Sequence, residues 1–193
     1  MSSQLANKTI SQSLLQAHQS SSPVRLEGNF SEQDAYAIQA LVNKSLDASP
    51  LFWKAGLLSN KATFCAPIAL SNCRSSPADF SQRVFNALHV EAELAYRFHT
   101  GFDAGKTYQE DDVFAAVDKV AVTIEVLDSR LENWQDADEF LHLADNQMNG
   151  ALVMGSGIEN WESIKSDTQT MHLFINDELV LADSGSHPQC DPT

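Results

Sequence analysis

Positive charge is scarce in this chain. Lys and Arg number 12 against 26 Asp and Glu, a formal charge of −14. So small a basic complement excludes the footprint of a nucleic-acid groove and disfavours docking on anionic lipid; a metal cation is the partner such a chain holds most easily. Cysteine is thin as well. Cys65, Cys73 and Cys190 are odd in number and widely spaced, with no C-x-x-C, which points to reduced thiols and a cytoplasmic location rather than a disulfide framework. No apolar run reaches the ~18 residues of a membrane span, and the start, MSSQLANKTISQSLLQAHQSSS, lacks the apolar core of a signal peptide. Neither G-x-G-x-x-G nor G-x-x-x-x-G-K-[ST] occurs, and the six histidines show no H-E-x-x-H spacing, so phosphate-cradling loops and helix-borne zinc sites have no support.

What is present is enough apolar sequence, 43% of 193 residues, for one domain with a sizeable core and at most a small appendage. Leu14 and Leu15 suit a short helix, closed by the polar run Gln19–Ser22 and by Pro23. Ser31-Glu32-Gln33-Asp34 reads as a variant capping box, and Tyr36, Ile38, Ala40, Leu41 and Leu46 predict a helix over about Glu32–Ser45, with Pro50 ending the region. Residues 70–83 read as a surface loop. Val90, Leu94, Tyr96 and Phe98 fall on one side of a period-2 pattern and predict a strand. EDDVFAAVD (110–118) suits a short helix with acids in its first turn. KVAVTIEVL (119–127) reads as a buried strand, residues 136–149 as a helix, 151–154 as a strand, and MHLFINDELVLA as a hairpin turning near Asn176-Asp177. Helices early and strands late predict an α+β fold, with a helical segment over 1–50 and a β-rich domain over 51–193.

Three glutamates and one lysine carry the chemical interest. Glu91 and Glu93 are two apart in a predicted strand and so project from one face. Like charges that close repel unless water or a cation separates them; the alternative is a solvent-facing edge. Glu125 interrupts the apolar run Val120–Leu127, where a charge is costly unless paired or metal-bound; the alternatives are an outward face of a one-sided sheet or a pair with Arg130. Three carboxylates without His or Cys suit a hard cation such as Mg²⁺ or Mn²⁺. Lys54 lies between Trp53 and Ala55-Gly56-Leu57-Leu58. An apolar setting fits a lysine for acid–base work, although a snorkelling lysine is the plainer reading. Trp134 and Trp161 read as packing groups, Cys65 as a small apolar filler, and Glu110-Asp111-Asp112 as a solvated helix start.

HVEAELAYRF, then AVTIEVLDSRLENW, then LADNQMNGALVMG, with AYAIQ and WKAG before them and SGSHPQCDP after, resemble the fumarylacetoacetate hydrolase superfamily. The branch resembled is that of 2-keto-4-pentenoate hydratases and 4-oxalocrotonate decarboxylases. The resemblance implies a β-rich fold in which N-terminal helices pack on a mixed β-sheet roll. It implies that Glu91, Glu93 and Glu125 ligate Mg²⁺ or Mn²⁺ in the 51–193 domain and that Lys54 transfers a proton or holds the substrate carboxylate. It makes Asp128 and Arg130 supporting residues and places Asn149 near the substrate. The implied activity is hydration of a 2-hydroxy-2,4-dienoate through a metal-stabilised enolate. Decarboxylation of a 2-oxo acid and C–C hydrolysis of an acylpyruvate share its first steps, and a non-catalytic binding or assembly relative is the rival from another class. The implied partners are a small 2-oxo acid and further copies of the chain.

Two departures stand out. The family's aspartate loop between the lysine and the first glutamate has no counterpart, Asp79 being a poor substitute. The helix and glycine-rich strand that follow in the family are not found after HPQCDPT. These departures predict a metal-binding chain with little hydratase activity that associates through an uncovered sheet edge. A hydrolase would add a His–Glu pair, for which His18 and His89 qualify only by residue type.

Overall fold

The computed structural model describes residues 3–46, 51–87, 89–165 and 168–184. Pro50, Cys190 and the SGSHPQCDP ending from Gly185 onward lie outside them. The element order is α1 (Ser3–Ser20), α2 (Glu32–Ser45), β1 (Phe52–Leu57), β2 (Thr63–Ile68), β3 (Cys73–Ser75), β4 (His89–Phe98), α3 (Glu110–Ala116), β5 (Val117–Leu127), α4 (Glu139–Ala144), β6 (Asn149–Met154), β7 (Thr170–Ile175) and β8 (Glu178–Ser184). β1 and β2 form an antiparallel pair, β3-β6-β5-β4 a four-stranded sheet, and β7 and β8 a hairpin. Contacts group the chain into two units, Met1–Glu91 with Glu125–Val153 and Ala92–Ile124 with Met154–Thr193.

In the first unit the capping box of α2 forms as the sequence predicts. Asp34 N–H donates to Ser31 Oγ (3.2 Å) and Ser31 N–H to Asp34 Oδ2 (3.3 Å). The buried stripe is rotated from the predicted one: Ala35, Ile38, Gln39 and Val42 face inward, while Leu41 is exposed. That set follows the i, i+3, i+4, i+7 spacing of one helix face. Gln39 is tolerated inside because its Nε2 donates to Leu143 O (2.8 Å). Ile38 and Val42 join Leu14, Leu26, Leu131, Leu141 and Leu143 in the core. α1 is longer than expected and takes in Gln19 and Ser20 before Ser21 leaves helical geometry at φ 51°.

Four further expectations are corrected. β5 alternates only over its middle: Thr123 and Glu125 point inward, whereas Val122 (63% exposed) and Ile124 point outward, and Val120, Val126 and Leu127 to either side are buried. Over that stretch alternation forces the choice, and it places the polar face inside. The helix predicted over 136–149 covers only Glu139–Ala144. Beyond it Asn146, Gln147 and Met148 all take positive φ (52°, 51° and 60°), which no right-handed helix accommodates, and Asn149 opens β6. Cys65 is exposed on β2, where alternation buries its neighbour Ala66 instead. The 70–83 loop contains a 3-10 turn and the short strand β3.

In the second unit Trp161 packs as expected, edge-on to Tyr96 and stacked with Phe114, with its indole N–H donating to Val117 O (3.3 Å). Arg97 forks onto both oxygens of Asp118 (2.8 and 2.7 Å). The β7–β8 hairpin turns at Asn176 and Asp177, both left-handed (φ 50° and 65°), as a two-residue primed turn requires.

Candidate metal centre

Two neighbouring strands and a turn supply the site. β4 carries Glu91 and, two residues further along the same face, Glu93; its neighbour β5 carries Glu125. One carboxylate oxygen from each of the three lies within 4.8 Å of the others. Glu91 is exposed, Glu93 half-buried, and Glu125 completely shielded from solvent. β1 brings in Lys54, whose Nζ donates to Glu125 Oε2 (2.5 Å) and to the carbonyl of Gln147 (3.3 Å) and stands 3.7 Å from Glu91 Oε2. Asn149 Nδ2 donates to the other oxygen of Glu125 (2.7 Å), so its side chain orients that carboxylate. Burial pushes the Glu125 carboxyl above the ordinary glutamate range, while the Lys54 ammonium and the Asn149 amide pull it back.

Glu125 therefore pairs with Lys54, and the alternative of an Arg130 partner is corrected. Arg130 is taken by Asp145: its Nε donates to Asp145 Oδ1 (2.5 Å), its backbone N–H to Oδ2 (3.0 Å) and its Nη2 to the Asp145 carbonyl (2.6 Å). Its Nη1 reaches Asn149 O (2.8 Å). That network ties β5 to the start of β6 and holds Asn149 against Glu125. Asp128 accepts the backbone N–H groups of Asn86 (2.6 Å) and Ala87 (3.2 Å) on Oδ1, which fixes the chain entering β4. Asp79 is exposed and caps its own turn through Ser81 N–H (2.7 Å).

The donor set fits a hard divalent cation. All three donors are carboxylates, the ligand type such an ion takes. Beside them opens a cleft of about 310 Å³, lined by Lys54, Glu91, Leu127, Trp134, Gln135, His142, Gln147 and Met148. That volume is at the small end for a metabolite site. His89 packs edge-on to Trp134, so Trp134 shapes the cleft as well as packing. No sequence signal marks His142, Gln135 or the Gln147 carbonyl. His142 lies on α4 and Gln135 on the 3-10 turn before it, while the Gln147 carbonyl arrives through the left-handed turn after α4, and an unexpected turn carries no periodic signal. Burial lowers the His142 pKa below its ordinary value.

The fold is the α+β, fumarylacetoacetate-hydrolase-like one that the sequence resemblance implied. Two solved structures with this fold are of 4-oxalocrotonate decarboxylase from Pseudomonas putida G7, one complexed with magnesium and adipate (TM-score 0.79) and one with calcium and acetate (TM-score 0.77). Each is 20% identical to this chain, over 96% of this chain and 77% of that one. No protein-family model matches the chain, and no curated protein matches it in sequence. Among the described residues no helix is long and apolar enough to cross a membrane.

Proposed function

We propose that the chain is a divalent-cation-dependent enzyme that acts on a small 2-oxo acid or its enol, adding water to a 2-hydroxy-2,4-dienoate. One observation carries this reading: Lys54 meets Glu91 and Glu125 at the head of a cleft whose walls include Leu127, Trp134 and Met148. Glu91, Glu93 and Glu125 would hold magnesium or manganese, which would supply Lewis-acid stabilisation of an enolate. The chain's own residues do the rest. Glu125 keeps the Lys54 ammonium at the mouth of the cleft, where it moves a proton between substrate carbon and solvent. Asn149 fixes the Glu125 carboxylate by occupying one oxygen. Leu127, Trp134 and Met148 exclude water from the carbon chain, which strengthens the electrostatics around the developing negative charge.

Decarboxylation of a 2-oxo diacid is the second reading. The two decarboxylase structures that share the fold favour it, one of them with a dicarboxylate bound. The deciding experiment follows loss of dienoate absorbance, and separately carbon dioxide release from an oxo diacid, with magnesium and with chelator. Turnover of either substrate is expected to require the metal, to fall at least about a hundredfold in Lys54→Ala and to vanish in Glu125→Gln. Metal titration followed by melting is expected to lose most of its stabilising shift in Glu125→Gln. Metal-independent rates, or equal metal shifts in both proteins, would sink the reading.

A further inference from the structure

A second cleft of about 260 Å³ lies in the first unit, with His18, Arg83, Val84, Asn86, Asp128 and Arg130 on its walls. The chain has only five arginines, and two of them, Arg74 and Arg130, lie close enough to Arg83 to act on it electrostatically. Arg130 is committed to Asp145 and to the Asn149 carbonyl, yet three of its five side-chain N–H groups carry those bonds and two do not. Arg83 is half-buried, lies over the Phe85 ring at 5.0 Å and gives Asn72 Oδ1 one bond of 3.3 Å. Among the described residues no ion pair joins Arg83 to a carboxylate, in a chain that carries 26 of them. A partly desolvated guanidinium without a carboxylate is costly. Burial and the two neighbouring arginines push it below its ordinary value, and Asp128 is the opposing influence.

The other wall is an acceptor. Among the described residues both N–H groups that donate to Asp128 fall on Oδ1, and Oδ2 has acceptor capacity left. His18 contributes no positive charge. Burial and the two guanidiniums bring its pKa down to about 3, and its Nε2 is buried without a partner. The cleft thus combines guanidinium donors, which match oxyanions in fork geometry, with one carboxylate that accepts a proton-bearing oxygen.

We propose that this cleft binds hydrogenphosphate: Arg83 and Arg130 take its anionic oxygens and Asp128 accepts its O–H. Sulfate has the same shape and charge but no O–H at neutral pH, and it would set two acceptors against each other at Asp128. The inference does not rest on the proposed function.

The test is melting and titration calorimetry on the full chain at pH 7.5, with chelator present and ionic strength fixed with sodium chloride. Inorganic phosphate is expected to stabilise the protein saturably and sulfate to bind at least about tenfold more weakly. Arg83→Gln is expected to weaken phosphate at least about tenfold, the loss of a charge-assisted hydrogen bond. Val84→Glu sets a carboxylate on the cleft wall at a position 70% exposed. It is expected to do the same without disturbing the core, and it decides the matter if Arg83→Gln does not fold. Glu125→Gln is expected to bind phosphate as the wild type does. Equal effects of phosphate, sulfate and chloride, or wild-type phosphate affinity in Val84→Glu, would overturn the proposal.

Discussion

Lys54 and Glu125 are separated by 71 positions in the chain, and their Nζ and Oε2 atoms meet at 2.5 Å. Glu125 is fully enclosed and Lys54 nearly so, with side-chain exposures of 0% and 13%. A buried carboxylate keeps its charge only with a counter-charge at hand. In the absence of a metal that counter-charge is the lysine.

Lys54→Met is therefore expected to destabilise the metal-free chain by about 3–5 kcal/mol, the usual result of stripping one partner from a buried pair. Magnesium is expected to recover much of the loss, so the metal-induced rise in Tm should be larger in the variant than in the wild type. Scanning calorimetry with magnesium and with chelator measures both. An equal rise in the two proteins would show that Lys54 does not stand in for the cation.

Gly150 lies on β6, packed directly against β5. A Cβ there would meet Asp128 Cβ at 2.6 Å and the Val126 carbonyl oxygen at 2.7 Å, and neither is a flexible side-chain tip. Gly150→Ala is expected to cost about 1–3 kcal/mol through overpacking and to shift Asn149 off Glu125. Urea denaturation gives the stability. Weakened magnesium binding in the folded variant reports the displacement. Unchanged values of both would mean that the strands yield there without strain.

His18 gives the chain an acid sensitivity of predictable sign. Its folded pKa of about 3 lies below the ordinary 6.5, so the unfolded chain takes up the proton first. Stability is unaffected above pH 6.5 and falls as pH drops from 6.5 towards 3, by at most about 1.4 kcal/mol per pH unit from this group. His18→Gln is expected to flatten the fall between pH 6.5 and 5 in chemical denaturation. A slope as steep as the wild type's would assign the sensitivity elsewhere, His142 being the other histidine that burial depresses.

Local chemistry made parts of this molecule legible. Ser31 and Asp34 announced the start of α2, Asn176-Asp177 announced the hairpin turn, and Glu91 with Glu93 announced one charged face of β4, because each signal spans only a few residues. β5 was misread because Val122 and Ile124 look like core. Only the partners of Glu125, Lys54 from β1 and Asn149 from β6, show which face of that strand is inside, and they come from 71 and 24 positions away. The end of α4 was missed for the same reason. Asp145 is occupied by Arg130 and Asn146 by Asn43, 103 positions upstream, and no helical period records such contacts.

The left-handed run at Asn146, Gln147 and Met148 has a dynamic consequence. Non-glycine residues in that conformation are unfavourable by about 1–2 kcal/mol each, so the turn relies on ties from elsewhere. These are two reciprocal amide bonds between Asn43 and Asn146 (3.0 Å each) and the Asp128 N–H on the Met148 carbonyl (2.7 Å). A segment held against its own preference opens locally at a lower free energy than the strands beside it, so its amides exchange with solvent hydrogen ahead of theirs. The Gln147 carbonyl that receives Lys54 rides on this segment. The ordering of the lysine is thereby linked to an asparagine on α2 that touches none of the carboxylates.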